Sequence, residues 1–131
     1  MSADPKIEGA LEALKPGWLA QAERDLAQVD KLLESMTRAG AALPMQSKQL
    51  HGIVHNLKGQ AGTFGFALLS QIAATLCQII REHAGELVPA YLPILRAHHA
   101  ALKFVLLRRL EGDGGDAGLA ILAKLTAIQS K

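Results

Sequence analysis

The sequence predicts an all-α protein built on an antiparallel four-helix bundle. Half of the 131 residues are hydrophobic and only 4% are aromatic, with alanine and leucine in excess and few β-branched runs. Apolar residues recur at spacings of three and four, which is typical of helices that bury one face. Short connections between such helices favour antiparallel neighbours. The length predicts a single domain over residues 1–131, with the bundle core at about 18–111.

The N-terminal part predicts a short extra helix followed by a long one. Asp4 is a suitable N-cap for a helix over residues 5–14, which Lys15-Pro16-Gly17 is expected to break. A bundle helix then runs from near Trp18 to Arg38. Its apolar positions are Leu19, Ala22, Leu26, Val29, Leu33 and Met36.

A helix with two different faces follows Pro44. One face is an apolar stripe made of Leu50, Val54, Leu57 and Ala61. The other face carries cations and imidazoles about one turn apart, namely Lys48, His51, His55 and Lys58.

Two glycines flank His55 on this second face. Gly52 lies three residues before it and Gly59 four residues after it. A glycine in an exposed helix costs roughly 1 kcal/mol relative to alanine, so two of them do not serve stability. They are expected to clear the surface around the His55 ring and leave it open to a partner.

The second half of the chain predicts three more helices. The helix of His55 is expected to stop near Gly62, with Thr63 as the N-cap of its successor. Residues 112–118 are expected to form a flexible glycine-rich linker. The predicted helices are Leu69 to His83 (ending at Ala84-Gly85), about Ala90 to Arg109, and a short C-terminal helix over 119–129.

The distribution of charged residues along the chain is more informative than the net charge. A net charge of +2 is too small to suggest a nucleic-acid binder. No Asp or Glu lies between Glu34 and Glu82. The cations of that span are Arg38, Lys48, Lys58 and Arg81. We therefore expect a positive surface around His55 that suits an anion or an acidic partner.

The sequence favours a cytoplasmic chain that does not contact a membrane. Its one cysteine, Cys77, excludes an internal disulfide and fits a reducing compartment. Charged residues run through the first 16 positions, so no signal peptide is expected, and no apolar run is long enough to span a bilayer. The start at Met1 favours a free-standing protein, and a fragment cut from a larger protein is the alternative. We also expect a monomer.

The residues around His55 favour reversible phosphorylation. A neutral imidazole nitrogen is a competent nucleophile near pH 7. The ammonium of Lys58, one turn further along, would balance the charge of a phosphoryl group on the ring. The bland alternative is a solvated surface histidine, and the cleared surface argues against it.

The same residues carry a resemblance to a known family. The segment His55-Asn56-Leu57-Lys58-Gly59, followed by Gly62 and Gly65, resembles the His-x-Leu-Lys-Gly signature of histidine-containing phosphotransfer (HPt) domains. The resemblance implies that His55 accepts a phosphoryl group from a receiver-domain aspartate and passes it to another receiver. It also implies that Lys58 supports the phosphoryl group and that Gly59 gives access to the ring.

The resemblance also implies which partners and cofactors to expect. The partners are response-regulator receiver domains, a hybrid histidine kinase, or both, and the Mg²⁺ belongs to the receiver alone. The chain lacks a glycine-rich nucleotide loop, so we expect a phosphocarrier that is not an enzyme. Further residues expected to contact the phosphoryl group or the partner are Lys48, His51, Gly52, Gln60 and Gly62.

The sequence departs from the family at one position. Many members place a glutamine on the next helix to steady the imidazole, and Cys77 stands at the matching position. Gln78 or Gln71 is an alternative source of that support, and its absence is another alternative.

Two other functions remain open from the sequence. One is a helical adaptor or inhibitor that binds a kinase or receiver without being phosphorylated. The other is a metal-binding bundle, since His51 and His55 are spaced as a zinc-binding pair. No carboxylate or cysteine lies near enough in sequence to complete that metal site. His98 and His99 point to different sides of their helix and do not provide a Glu-x-x-His pair.

Overall fold

The computed structural model describes residues 4–40, 44–83 and 90–129, and within these ranges the chain is helical without any strand. The helices are α1 (Pro5–Ala39), α2 (Pro44–Thr63), α3 (Ala67–Glu82), α4 (Leu92–Leu107) and α5 (Gly115–Gln129). The prediction of an all-α protein is confirmed.

Four of the helices surround one hydrophobic core. Helix α1 packs against α2 and α4, and α3 packs against the same two helices. Each of the four contributes a stripe of buried aliphatic side chains, so the apolar spacing in the sequence corresponds to the inward faces. The largest fully buried members are Phe66, Leu33, Met36, Leu50, Leu57, Leu68, Leu69, Ile72, Leu76, Ile80, Leu95 and Leu102.

Side-chain contacts give the direction of several helix pairs. Gln46 near the start of α2 donates to Ser35 near the end of α1, at 3.1 Å. Trp18 of α1 donates to Gln60 near the end of α2, at 3.2 Å. These two helices therefore run in opposite directions. On the other side, Arg96 at the start of α4 lies 3.7 Å from Asp30 in the second half of α1.

The predicted break at Lys15-Pro16-Gly17 is wrong, because α1 is one helix of 35 residues that continues through Pro16. Proline inside a helix removes one hydrogen bond and costs about 3 kcal/mol. Contacts on both sides of Pro16 offset this cost. Lys15 pairs with Glu111 and lies over the Phe66 ring, and Trp18 is buried in the core. The short N-terminal helix is thus the first part of α1, and Asp4 caps it as predicted by accepting from the Lys6 amide at 2.9 Å.

The prediction that Thr63 caps the next helix is also wrong. Thr63 is the last residue of α2, and its hydroxyl donates to the Gly59 carbonyl at 3.2 Å. Gly65 follows with φ +85°, and the amide of Phe66 reaches back to the Ala61 carbonyl at 2.8 Å. This is a Schellman ending of α2, which needs a glycine at the left-handed position. The N-cap residue of α3 is Phe66, which makes no side-chain cap.

The boundaries of α3 and α4 agree with the sequence to within two residues, whereas the last helix, predicted over 119–129, begins four residues earlier at Gly115. Helix α4 begins at Leu92 rather than at about Ala90, because the first turn accepts Pro93, and it ends at Leu107 rather than at Arg109. The preceding helix, predicted from Leu69 to His83, is α3, which runs from Ala67 to Glu82 with His83 as its C-cap. The residues expected to end it, Ala84-Gly85, lie outside the described residues.

The predicted flexible linker over residues 112–118 is a packed segment. Gly112 accepts from the Leu68 amide at 2.8 Å and donates to the Gly65 carbonyl at 2.7 Å, which attaches it to the turn between α2 and α3. Residues 115–118 belong to α5, and Gly118 is buried. Glycine is needed at residue 118 because an added Cβ would lie 2.0 Å from the Asp113 carbonyl oxygen.

Helix α5 packs on the outside of α4. Leu125 is buried in the core cluster, and Ile121 and Leu122 pack partly against it. No helix in the described part of the chain is both long enough and apolar enough to cross a membrane.

Candidate functional site

Helix α2 places its imidazoles and cations on the side opposite to its buried stripe. Leu50, Val54, Leu57 and Ala61 are fully buried, as the apolar spacing predicted. On the other side His55 and Lys48 are exposed, and His51 and Lys58 are partly buried. The structure therefore brings together the four residues that the sequence predicted to share a face.

The glycines beside His55 leave open space. A Cβ added at Gly52 or at Gly59 would meet no other atom within 4 Å outside its own helix. Packing does not require a glycine at either position, and both residues are helical. Gly62 differs, because a Cβ there would lie 3.6 Å from the Ser70 hydroxyl oxygen, an ordinary contact.

The ring of His51 stacks on the ring of His55. Their centroids are 5.8 Å apart and the ring planes are inclined by 15°. Burial lowers the pKa of His51 below its usual value, and interactions with His55, Arg81 and Lys58 lower this pKa further. His51 is therefore a neutral imidazole at pH 7.

Helix α3 adds a cation and a thiol to this face. Cys77 is buried, and burial raises the pKa of its thiol, while the charges of Lys58 and Arg81 act in the opposite direction. Arg81 is exposed and acts on His51 as well as on Cys77. The site thus extends across two helices, with Arg81 facing the same region as Lys58.

This part of the bundle contains very little negative charge. Helix α2 has no acidic residue, and α3 has none before Glu82. Glu82 accepts a hydrogen bond of 2.9 Å from the Gln78 amide. The face around His55 is consequently positive, as the sequence predicted from the gap between Glu34 and Glu82.

Gln60 is directed towards α1. Its side-chain oxygen accepts a hydrogen bond of 3.2 Å from the indole nitrogen of Trp18. Trp18 stacks on Phe64, with centroids 5.0 Å apart, and is 7% exposed. Gln60 therefore helps to fix α1 against the end of α2, and Trp18 is a core residue.

Arg81 and Cys77 were not among the residues predicted to form the site. The signal for Arg81 was present in the charge distribution, since it is one of the four cations in the span without carboxylates. Its position could not be deduced without knowing how α3 is rotated against α2. The alternatives Gln71 and Gln78 are both exposed, and the amide of Gln78 is bonded to Glu82.

Two buried histidines lie away from this site, on α4. The His99 ring donates to the Leu26 carbonyl at 2.9 Å, and the His98 ring donates to the Ile94 carbonyl at 2.8 Å. Within residues 4–40, 44–83 and 90–129, no group of three or more His, Cys, Asp or Glu side chains could hold a metal ion.

Comparison with known proteins gives one match. A family model described as Hpt domain matches residues 18–104, which is about two thirds of the chain. The matched segment contains α2, α3 and most of α1 and α4, and it includes His55, Lys58, Cys77 and Arg81. Searches of the curated proteins and of the solved structures found no match.

Proposed function

The chain belongs to the Hpt domain family, and we propose that His55 is its phosphoacceptor. Members of this family are phosphocarrier modules of phosphorelay signalling that act with receiver domains and histidine kinases. For this chain we propose that His55 takes the phosphoryl group from the aspartate of one receiver and passes it to another.

The observation that carries this proposal is the open imidazole on α2. His55 is exposed, and the positions one turn away on either side are glycines with free space around them. A receiver has to bring an aspartyl phosphate into line with a ring nitrogen, so a side chain at either position would stand in its path. The two glycines reduce the stability of the helix, and access to the ring accounts for that cost.

The proposed transfer is a displacement at phosphorus. The lone pair of a neutral ring nitrogen of His55 forms the new N–P bond, and the P–O bond to the receiver aspartate breaks. The aspartate leaves as a carboxylate with the bonding electrons. The onward step is the reverse, with the carboxylate of the next receiver as nucleophile and His55 as the leaving group.

Positive charge supports the phosphoryl group while His55 carries it. Lys58 lies one turn from His55, and Arg81 faces the same region from α3. Phosphoryl transfer depends mostly on positioning and on stabilisation of negative charge, which these cations supply. The Mg²⁺ of the reaction is assigned to the receiver, and the chain is proposed to need no cofactor of its own.

The surface around His55 is proposed as the docking site for receivers. The part of this surface without side chains is made of Gly52, Gly59 and Gly62. At its edge lie Lys48 and His51, and Gln60 is directed towards α1. The contacts between α1, α2 and α4 described above support an antiparallel four-helix arrangement for the bundle that presents this surface. We propose that the protein acts as a monomer in the cytoplasm, where receiver domains and histidine kinase output domains operate.

The test is transfer of labelled phosphate from a panel of phosphorylated receiver domains. The wild type should acquire an acid-labile label, and His55→Gln should acquire none while keeping its helical circular dichroism and its thermal midpoint. His83→Gln is the matched control, because His83 lies at the end of α3 and stacks on Tyr91 instead of His55. Label that persists in His55→Gln would refute the assignment. A wild type that binds receivers without taking up label would indicate the adaptor function.

A further inference from the structure

His55 is an exposed side chain, yet its ring has a partner on its own helix. His51 lies one turn earlier, and the two imidazoles are nearly parallel, with 15° between their planes and 5.8 Å between their centroids. Offset stacking of aromatic rings occurs at centroid separations of 4.5–7 Å. The two glycines beside His55 have no side chain that the ring could contact.

The ring of His51 is partly buried. Its Nε2 atom is buried with no hydrogen-bond partner among the described residues, and the charge of Arg81 on α3 acts on the ring. Partial burial, and not a polar contact at Nε2, therefore restricts this ring.

Helix α3 offers His55 little alternative support. Cys77 is buried, and a thiol is only a weak hydrogen-bond donor. The side-chain amide of Gln78 already donates a hydrogen bond to Glu82. The described contacts of the His55 ring thus lead back to α2 and to His51.

The charge state of His51 suits a stacking partner. The titratable and charged groups that act on it are His55 and Lys58 on α2 and Arg81 on α3. Burial and the cationic groups among these lower the pKa of His51 below 6.5, so its ring is neutral at pH 7. A neutral ring stacks on another imidazole, whereas two imidazolium rings would repel each other.

We propose that His51 is a positioning residue, whose stacked ring restricts the rotation of the His55 ring and aims it at the incoming phosphoryl group. This inference rests on the proposed function, in which His55 is the phosphoacceptor. The residue that orients the His55 ring is then on the same helix, one turn before it. His51 does not react and does not have to touch the phosphoryl group.

The test uses the full chain with two substitutions at residue 51. His51→Ala removes the stacked ring, and His51→Phe keeps an aromatic ring that does not titrate. Gln49→Ala is the control, since Gln49 is an exposed residue of α2 and alanine favours the helix there as much as at residue 51. Two quantities are measured: the order parameter of the His55 ring in the unphosphorylated protein by ¹³C NMR relaxation, and the rate of phosphoryl transfer from a receiver at increasing receiver concentration.

His51→Ala should lower the order parameter of the His55 ring. Its maximal transfer rate should fall by about three- to tenfold, the range expected for one aromatic contact, while the half-saturating receiver concentration stays unchanged. His51→Phe should retain both the ring order and the rate, and Gln49→Ala should match the wild type.

Unchanged ring order in His51→Ala would overturn the proposal, whatever happens to the rate. A change confined to the half-saturating concentration would also overturn it, because His51 would then serve only the docking of the receiver and not the orientation of His55. The NMR comparison needs no phosphoryl transfer. Failure of the proposed function would appear separately, as a wild type that no receiver can label.

Discussion

The hydroxyl of Ser70 donates a hydrogen bond of 2.8 Å to the main-chain carbonyl oxygen of Lys58. This bond ties the backbone of α2 to α3 one turn after His55. The Lys58 backbone is therefore fixed, and its ammonium can be directed only by the torsions of its own side chain. A substitution of the side chain should leave the position of the helix unchanged, so Lys58 can be tested for its charge alone.

We expect Lys58→Ala to shift the transfer equilibrium and Lys48→Ala to leave it nearly unchanged. Lys58 lies one turn from His55, whereas Lys48 lies two turns away and is exposed, at a distance where salt screens most of its effect. A charge-assisted contact is worth at most about 1.5–3 kcal/mol, and less where water reaches it. The phosphorylated fraction of His55 at equilibrium with a receiver should fall by up to about tenfold in Lys58→Ala.

Salt provides the control for this comparison. If the positive face only attracts an acidic receiver, both substitutions should weaken binding equally, and high salt should remove both effects. Equal shifts in the equilibrium from the two variants would show that Lys58 has no special part in holding the phosphoryl group.

Substitution of Gly59 should separate stability from transfer. Gly59→Leu adds a side chain to open space in the middle of α2, so the protein should become more stable by somewhat less than about 1 kcal/mol. The transfer rate should nevertheless fall, because the new side chain stands beside the His55 ring. Urea unfolding and the transfer rate measure the two quantities.

Gly9→Leu is the matched control for that experiment. Gly9 is an exposed helical glycine of α1 with open space around it, and it lies far along the chain from His55. Its substitution should give a similar gain in stability and an unchanged transfer rate. A normal rate in Gly59→Leu would mean that the glycines beside His55 are incidental.

The stability of the fold should decrease in acid because of His98. Burial lowers the pKa of this ring, although its hydrogen bond to the Ile94 carbonyl acts in the opposite direction. The unfolded chain therefore binds the proton more readily than the folded one below pH 6.5. The contribution of His98 is fully present above that pH and is lost as the pH falls from there towards the folded-state pKa. One group can contribute no more than about 1.4 kcal/mol per pH unit.

His98→Leu removes this titration and also the buried Nε2 atom, which has no hydrogen-bond partner in the described part of the chain. The free energy of unfolding, measured in urea from pH 7.5 to 5, should decline less steeply in the variant than in the wild type. His51 and other groups contribute equally to both proteins, so the difference isolates His98. Parallel pH profiles would contradict the prediction.

Gly118→Ala should destabilise the protein by at least about 1–3 kcal/mol, the usual cost of an overpacked site. The added methyl group would lie 2.0 Å from the Asp113 carbonyl oxygen and 3.3 Å from the Leu68 side chain. Gly52→Ala provides the contrast, because its methyl group would enter open space and should stabilise α2 by about 1 kcal/mol. Thermal unfolding of the two variants should therefore move in opposite directions.

The sequence predicts the helices and the two faces of α2 well because both depend on local spacing. The buried stripe of α2 and the position of His55 opposite to it follow from the helical period alone. The two wrong predictions of helix boundaries come from local preferences as well. Pro16 locally favours a helix break, but the helix continues because Trp18 packs into the core. Thr63 locally favours a helix start, but it ends α2 because Gly65 adopts the left-handed conformation.

The relation between helices cannot be obtained from local spacing. The approach of Arg81 to His51 depends on how α3 is rotated against α2, and the attachment of Gly112 depends on a turn 44 to 47 residues earlier in the chain. A run rich in glycine has the composition of a free linker. In this chain Gly112 has φ +62°, a conformation that favours glycine, and its backbone is held by hydrogen bonds to Gly65 and Leu68.

The hydrogen bonds of Gly112 to the turn between α2 and α3 set the shortest fragment of the chain that should keep its fold in another protein. The segment that matches the family ends at residue 104, but the carbonyl of Gly65 and the amide of Leu68 find their partners at Gly112. A fragment cut at residue 104 would leave both groups without these partners at the turn that follows α2, and it would expose the face of Leu68 that Gly114 and Gly118 cover. A fragment intended to keep this fold should therefore extend to at least Leu125, the last residue of α5 that the core encloses.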